Sequence, residues 1–262
     1  MRNSPRLMAA AFVTAALAVG TAACGSSASP GSSATSASPG TSSATAPAAT
    51  PSGAASAGPL AGLTADQVAT KALADTKAAP SVHLTGTGTD SGQSLTLDLT
   101  LVHGKGCVGT VSMAKMGSFR LIYDGKTVWA LPDAKFYKGA GVTDSGALAI
   151  LNGKYLKLKS TDSGLGGLAT LCSLNGLVGA FGTPIGLNMA APTSVRGVPA
   201  VKLSDAGDTA YLYVTYAAKP ELLQLNAPGS SGGVFDFSYP ATVITITPPP
   251  ASQVIDGSKY GF

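Results

Sequence analysis

The chain is poor in charge. Of its 262 residues, 17 are Lys or Arg and 13 are Asp or Glu, and the charges stand singly rather than in runs. Nucleic-acid binding calls for a basic patch or a recognition motif, and neither is present. Glutamate occurs once, at Glu221, and no two carboxylates share a helical spacing suited to acid–base work. The 2 histidines, His83 and His103, and the 3 cysteines lack the spacing of a zinc site. No G-x-S-x-G elbow occurs for serine nucleophile chemistry. Gly125-Lys126-Thr127 ends like a phosphate-binding loop, but Arg120 stands where its first glycine belongs. Gly86-x-Gly88 falls inside a strand pattern instead of opening a helix, so it is not a dinucleotide fingerprint. These absences argue against an enzyme, and they imply no cofactor and no metal. Beyond the N-terminus, no apolar run reaches the length of a membrane span.

What is present begins at the N-terminus. Arg2 and Arg6 precede an uncharged stretch rich in Ala, Val and Leu, which ends in Gly20-Thr21-Ala22-Ala23-Cys24-Gly25. A charged start, an apolar middle and small residues at the end make an export leader, here residues 1–23. The Cys after small residues resembles a bacterial lipobox, with Thr21 where Leu is usual. That resemblance makes Cys24 the lipidated first residue of the mature chain, carrying palmitate-class acyl chains. The alternatives are an ordinary secretory leader with an accidental Cys and an uncleaved anchor. Residues 24–60 are almost wholly Ser, Ala, Gly, Thr and Pro. Such a segment buries too little apolar surface to offset its chain entropy and should act as a tether. Roughly 35 flexible residues reach about 30–35 Å.

Residues 61–262 suffice for one domain with a full core. With Cys24 assigned to lipid, Cys107 and Cys172 remain as a pair in an exported, oxidising setting. They are either a disulfide or two buried thiols. A disulfide would close a loop of about 66 residues, worth on the order of 4 kcal/mol in the chain-entropy account.

The spacing predicts a helix over 64–78, where Thr64 and Gln67 form a capping box and Val68, Ala69, Ala72 and Leu73 share a face. The apolar period then drops to two. Val82 and Leu84, then Leu95, Leu97, Leu99 and Leu101, alternate with polar residues across a turn at 90–92, which is a hairpin with one buried face. Strands follow at 108–113 and 119–123, with Asp124-Gly125 turning the latter into 127–131. A short helix is expected at 144–151 and a strand at 154–159. Leu165, Leu168, Leu171, Leu174, Leu177 and Phe181 recur at helical spacing among glycines. Further strands are expected at 193–196, 200–204, 209–215, 221–226, 234–238 and 242–247, the last stopped by Pro248-Pro249-Pro250. The fold class is α+β: a large curved antiparallel β-sheet, a half-barrel, with helices packed on its concave face.

Several stretches resemble the actinobacterial LppX/LprA/LprF/LprG lipoprotein family. They are Ser81-Val82-His83-Leu84-Thr85-Gly86, Leu97-Asp98-Leu99, Asp124-Gly125-Lys126-Thr127-Val128-Trp129, Phe136-Tyr137-Lys138, Gly153-Lys154-Tyr155-Leu156-Lys157 and Pro240-Ala241-Thr242-Val243-Ile244-Thr245. The likeness spans most of the folded part, and its patterns belong to the sheet framework. It implies a half-barrel similar to LolA and LolB, and a lipid or lipoglycan carried in an apolar cavity between sheet and helices. The candidate cavity residues are Val82, Leu84, Leu95, Leu97, Leu99, Leu101, Phe119, Leu121, Leu168, Leu171, Leu177 and Phe181. Each also suits plain core packing.

Two functions follow. One is a monomeric carrier of a hydrophobic ligand, lipid-anchored on the extracytoplasmic face of the cell membrane. The other is a non-catalytic display or sensor module that meets an envelope protein through an exposed patch around Trp129, Phe136 and Tyr137. Neither involves nucleic acid.

Overall fold

A computed structural model describes residues 58–90, 92–162, 164–179, 185–229 and 232–260. The leader, Cys24, nearly all of the tether, and Phe181 lie outside the described residues. The first helix, α1 (Ala65–Lys77), starts where its capping box predicts. Thr64 Oγ1 accepts from the Gln67 amide at 3.3 Å, and Gln67 Oε1 accepts from the Thr64 amide at 2.9 Å. Val68, Ala69, Ala72 and Leu73 make its buried face.

Five strands follow as successive hairpins: β1 (Ser81–Asp90), β2 (Gln93–Val102), β3 (Gly106–Met113), β4 (Gly117–Tyr123) and β5 (Thr127–Pro132). Two short helices, α2 (Ala134–Gly139) and α3 (Ser145–Leu151), lead to β6 (Tyr155–Lys159). A 3-10 helix (Gly164–Cys172) and α4 (Leu174–Gly179) form the helical layer. The second set of strands is β7 (Asn188–Met189), β8 (Thr193–Val195), β9 (Val198–Ser204), β10 (Tyr211–Thr215), β11 (Leu222–Ala227) and β12 (Gly233–Ser238). The chain ends with β13 (Val254–Asp256) between two 3-10 turns.

All 13 strands join one open sheet in the order β13-β6-β5-β4-β3-β2-β1-β12-β11-β10-β9-β7, with β8 on β9. Twisted sheets of more than about ten strands curl rather than stay flat. Registers stack the inward side chains in rows across the strands. One row runs Phe235, Gly86, Leu97, Val111, Phe119, Pro132. The next runs Phe237, Leu84, Leu99, Gly109, Leu121, Ala130. A third runs Val82, Leu101, Cys107, Tyr123, Val128, Leu158. Period-two alternation sends these residues to one face and Thr, Ser, His83 and Asp98 to the other. The Gly86-x-Gly88 pair has a packing role: a Cβ on Gly86 would lie 2.4 Å from Val234 O and 2.7 Å from the Phe235 ring.

Three expectations fail. Residues 242–247 join no ladder; Val243 and Ile244 are 43% and 36% exposed there. Their β-branched residues favour a strand, but β1 and β11 already flank β12, and prolines bracket the segment at Pro240 and Pro248. The chain instead continues past Pro250 to β13, which pairs with β6 in parallel, so the sheet is mixed rather than wholly antiparallel. Finally, the patch around Trp129, Phe136 and Tyr137 is not exposed: these residues are 7%, 8% and 1% accessible. For Phe136 and Tyr137 the cause is α2, a helix that the sequence pattern did not predict. Asp133 Oδ1 accepts from the Phe136 amide at 2.8 Å and starts that helix, turning Phe136 against Phe119 with ring centroids 4.8 Å apart.

Candidate functional site

The concave face and its helical roof hold the candidate site residues. Val82, Leu84, Leu97, Leu99, Leu101, Phe119, Leu121 and Leu168 are buried in one apolar cluster. Leu95, Leu171 and Leu177 are half-buried and pack against it. The structure therefore brings together every candidate that it describes, mostly as tightly packed core.

Two different roofs cover this face. The 3-10 helix packs over β3–β6, and α2 packs over β4 and β5; α1 packs over β10 and β11, and α4 touches both α1 and the 3-10 helix. The inward side chains of central β1, β2 and β12 are buried as well: Val82, Leu84, Leu97, Leu99 and Phe237 are at most 2% exposed. The 3-10 roof is pinned to the sheet at Cys107 and Cys172, whose Sγ atoms are 2.02 Å apart and whose Cα atoms are 5.2 Å apart.

The α1 roof is held by polar contacts. Thr76, fully buried, accepts from the Leu222 amide at 2.9 Å. The Tyr239 hydroxyl donates to Leu222 O at 2.7 Å and lies 2.9 Å from Thr76 Oγ1, so Thr76 donates to it. Burial pushes the Tyr239 phenol upward. At the other end of α1, the Asp66 carboxylate accepts from the amides of Leu187 at 2.9 Å and Gly186 at 3.0 Å. Those bonds, the Leu187 one first, hold its carboxyl below the usual range. None of these three side chains stood out in the sequence. Only Thr76, a polar residue on the apolar face of a predicted helix, carried a signal that could have found it.

The carboxylates have structural work. Asp133 and Asp144 cap helices, and Asp124 and Asp205 close turns through backbone amides. Asp98 lies 2.8 Å from His83 Nε2, and Asp75 pairs with Lys71. The carboxyls with a displaced acidity, Asp66, Asp205, Asp208 and Asp256, all move downward, which suits permanent anions rather than proton donors. Burial pushes the Tyr137 phenol up to about 12, and its hydroxyl donates to Leu151 O at 3.2 Å. Among the described residues, no group of three His, Cys, Asp or Glu side chains is placed to hold a metal. No helix among them is long and apolar enough to cross a membrane.

The architecture defines an α+β class: an open, curved sheet with an apolar inner face beneath short helices. No family model matches the chain, and no curated protein does. Among solved structures it is similar to the crystal structure of LprF from Mycobacterium bovis, at 16% identity, covering 71% of this chain and 96% of that one with a TM-score of 0.49. It is also similar to an uncharacterized conserved protein from Thermus thermophilus, at 12% identity, covering 74% of this chain and 99% of that one with a TM-score of 0.35. LprF is among the family that the sequence resembles.

Proposed function

We propose that this protein is an exported lipoprotein, tethered through Cys24 to the extracytoplasmic face of the membrane, that binds a hydrophobic ligand between its sheet and its helical roof. It acts as a monomer and without catalysis. The observation that carries this reading is the roof itself. A broad apolar face of aligned Leu, Val and Phe rows is covered over β3–β6 by short helical segments. The covering segment is a nine-residue 3-10 helix and a six-residue α4, rich in glycine. Short 3-10 helices have poorer hydrogen bonds than α-helices. A roof of that kind is displaced at lower cost than a long α-helix, and acyl chains could take its place against the leucines. The Cys107–Cys172 disulfide, formed in the oxidising envelope, would keep the displaced roof from leaving. The display reading loses the surface it required, because Trp129, Phe136 and Tyr137 are buried.

The test is native mass spectrometry of the full chain with Cys24→Ala, purified without detergent. A co-purifying lipid is expected. Leu95→Trp and Leu171→Trp, at half-buried positions, should abolish it while the melting curve survives. Leu97 and Leu99 are poor places to block, since they are 2% and 0% exposed and overpacking there would cost about 1–3 kcal/mol. Protein that stays lipid-free, and that takes up no neutral lipid on titration, would sink the reading.

A further inference from the structure

At one end of the half-barrel four segments converge. They are the last turn of α1, the β2–β3 turn, the β4–β5 turn, and the junction between the 3-10 helix and α4. Between them lies a cleft of about 330 Å³, lined among others by Lys77, Val102, His103, Lys105, Cys172 and Leu174. That is near the lower end of the ~300–1,000 Å³ typical of small-molecule sites. Its chemistry is divided. Val102, Cys172 and Leu174 are 4%, 8% and 7% exposed and form an apolar floor. Half-buried Lys77 and exposed His103 and Lys105 form the rim.

The rim is cationic and uncompensated. No carboxylate lines the cleft, and among the described residues neither Lys77 nor Lys105 has an ion-pair partner. The nearest acids in sequence are engaged elsewhere. Asp75 pairs with Lys71 at 2.9 Å, and Asp124 accepts from the amides of Lys126 at 3.0 Å and Thr127 at 2.8 Å. A helix C-terminus would ordinarily repel an anion through its free carbonyls. Here two of those carbonyls, Thr76 O and Lys77 O, are covered. His103 Nδ1 donates to Lys77 O at 3.0 Å, and the amides of Ala78 and Ala79 donate to Ala74 O and Thr76 O. The floor matters as much as the rim. Cys172, bonded to Cys107, and Leu174 belong to the apolar cluster that holds Val82, Leu101 and Cys107, whereas Val102 lies outside it, so the floor of the cleft adjoins the apolar face through Cys172 and Leu174.

We propose that this cleft holds the phosphate of a phosphoester headgroup, with Lys77 and Lys105 supplying the charge and the apolar floor leading its acyl chains toward the sheet. The inference rests on the carrier reading only for the source of the phosphate. It narrows the ligand class from any hydrophobe to an anionic phospholipid or phosphorylated glycolipid.

The test titrates the full chain carrying Cys24→Ala with three probes by calorimetry: dihexanoylphosphatidylglycerol below its micelle concentration, dihexanoylglycerol, and glycerol 3-phosphate. The phosphatidylglycerol probe should bind about tenfold tighter than its neutral counterpart, as charge-assisted contacts to phosphate require. The Lys77→Gln/Lys105→Gln variant should remove that difference, Lys77→Arg/Lys105→Arg should restore it, and melting curves should stay alike. Raising salt from about 0.05 to about 0.5 M should weaken the charged probe alone. Glycerol 3-phosphate binding with the same lysine dependence, without uptake of either acyl probe, would support the phosphate site and defeat the carrier. Equal binding of charged and neutral acyl probes in both wild type and variant would overturn the phosphate site and leave the carrier standing.

Discussion

The two flanks of the sheet solve the same problem with different chemistry. Over β10 and β11, the roof is a thirteen-residue helix with a complete capping box. It is fixed by the buried Thr76–Tyr239–Leu222 hydrogen bonds at one end and by Asp66 on the Gly186 and Leu187 amides at the other. Over β3–β6, the roof is short, apolar and glycine-rich, and its covalent attachment among the described residues is Cys172 to Cys107. Hydrogen bonds specify position, whereas apolar packing tolerates sliding so long as area stays buried. The comparison therefore assigns rigidity to the α1 flank and displacement to the 3-10 flank, with the disulfide as a pivot.

The largest effect should come from removing that pivot. Cys107→Ala with Cys172→Ala lowers unfolding stability by about 4 kcal/mol on the chain-entropy account of a loop of about 66 residues. Chemical denaturation measures this. Amide exchange sharpens it: residues 164–179 should exchange faster in the variant while α1 is unchanged. Equal acceleration in α1 would break the comparison, because both roofs would then open together.

The same contrast governs what was legible in the sequence. Strands β1–β5 follow one another as hairpins, so each finds its partner within a few residues, and period-two alternation is enough to place them. The capping box of α1 is equally local. Residues 242–247 have the right alternation and the wrong surroundings, since no strand edge is free beside β12. Pairing of β13 with β6 spans about a hundred residues and leaves no local mark. Likewise α2 hides because its six residues are too few for a helical period, and Asp133 before Phe136 was its only signature. For the candidate site, the apolar rows were readable from alternation. The cationic cleft was not, because Lys77, His103 and Lys105 meet only through tertiary folding.

A smaller effect should follow from loosening the polar flank. Thr76→Val keeps the shape but strands the Leu222 amide and removes one of the two partners of the Tyr239 hydroxyl, costing about 1–3 kcal/mol for buried groups left unsatisfied. Tyr239→Phe should cost less, about 1 kcal/mol, since Thr76 keeps its bond from Leu222. In both variants exchange should quicken in α1 and β11 and not in residues 164–179. Quickening in the 3-10 roof instead would reverse the assignment of the two flanks.

The smallest effect tests the far end of α1, and its signature is pH. Asp66 accepts two backbone amides and sits in the first turn of the helix, where negative charge is favoured. Its carboxyl is held below its ordinary value of 3.8, mainly by the Leu187 amide and then by that of Gly186. A depressed folded value means that the charged form stabilises the fold. That contribution is complete above the unfolded value and is lost as pH falls through the lower folded one. The Gly186 and Leu187 amide signals should therefore move together in NMR titration, with a midpoint below 3.8. Asp66→Asn should abolish this movement and loosen residues 186 and 187, because one of the two accepting oxygens becomes an NH2 donor. A midpoint at or above the ordinary value would mean that the carboxylate is free. The α1 flank would then be held at one end only, and the difference between the two roofs would shrink to the Thr76 cluster.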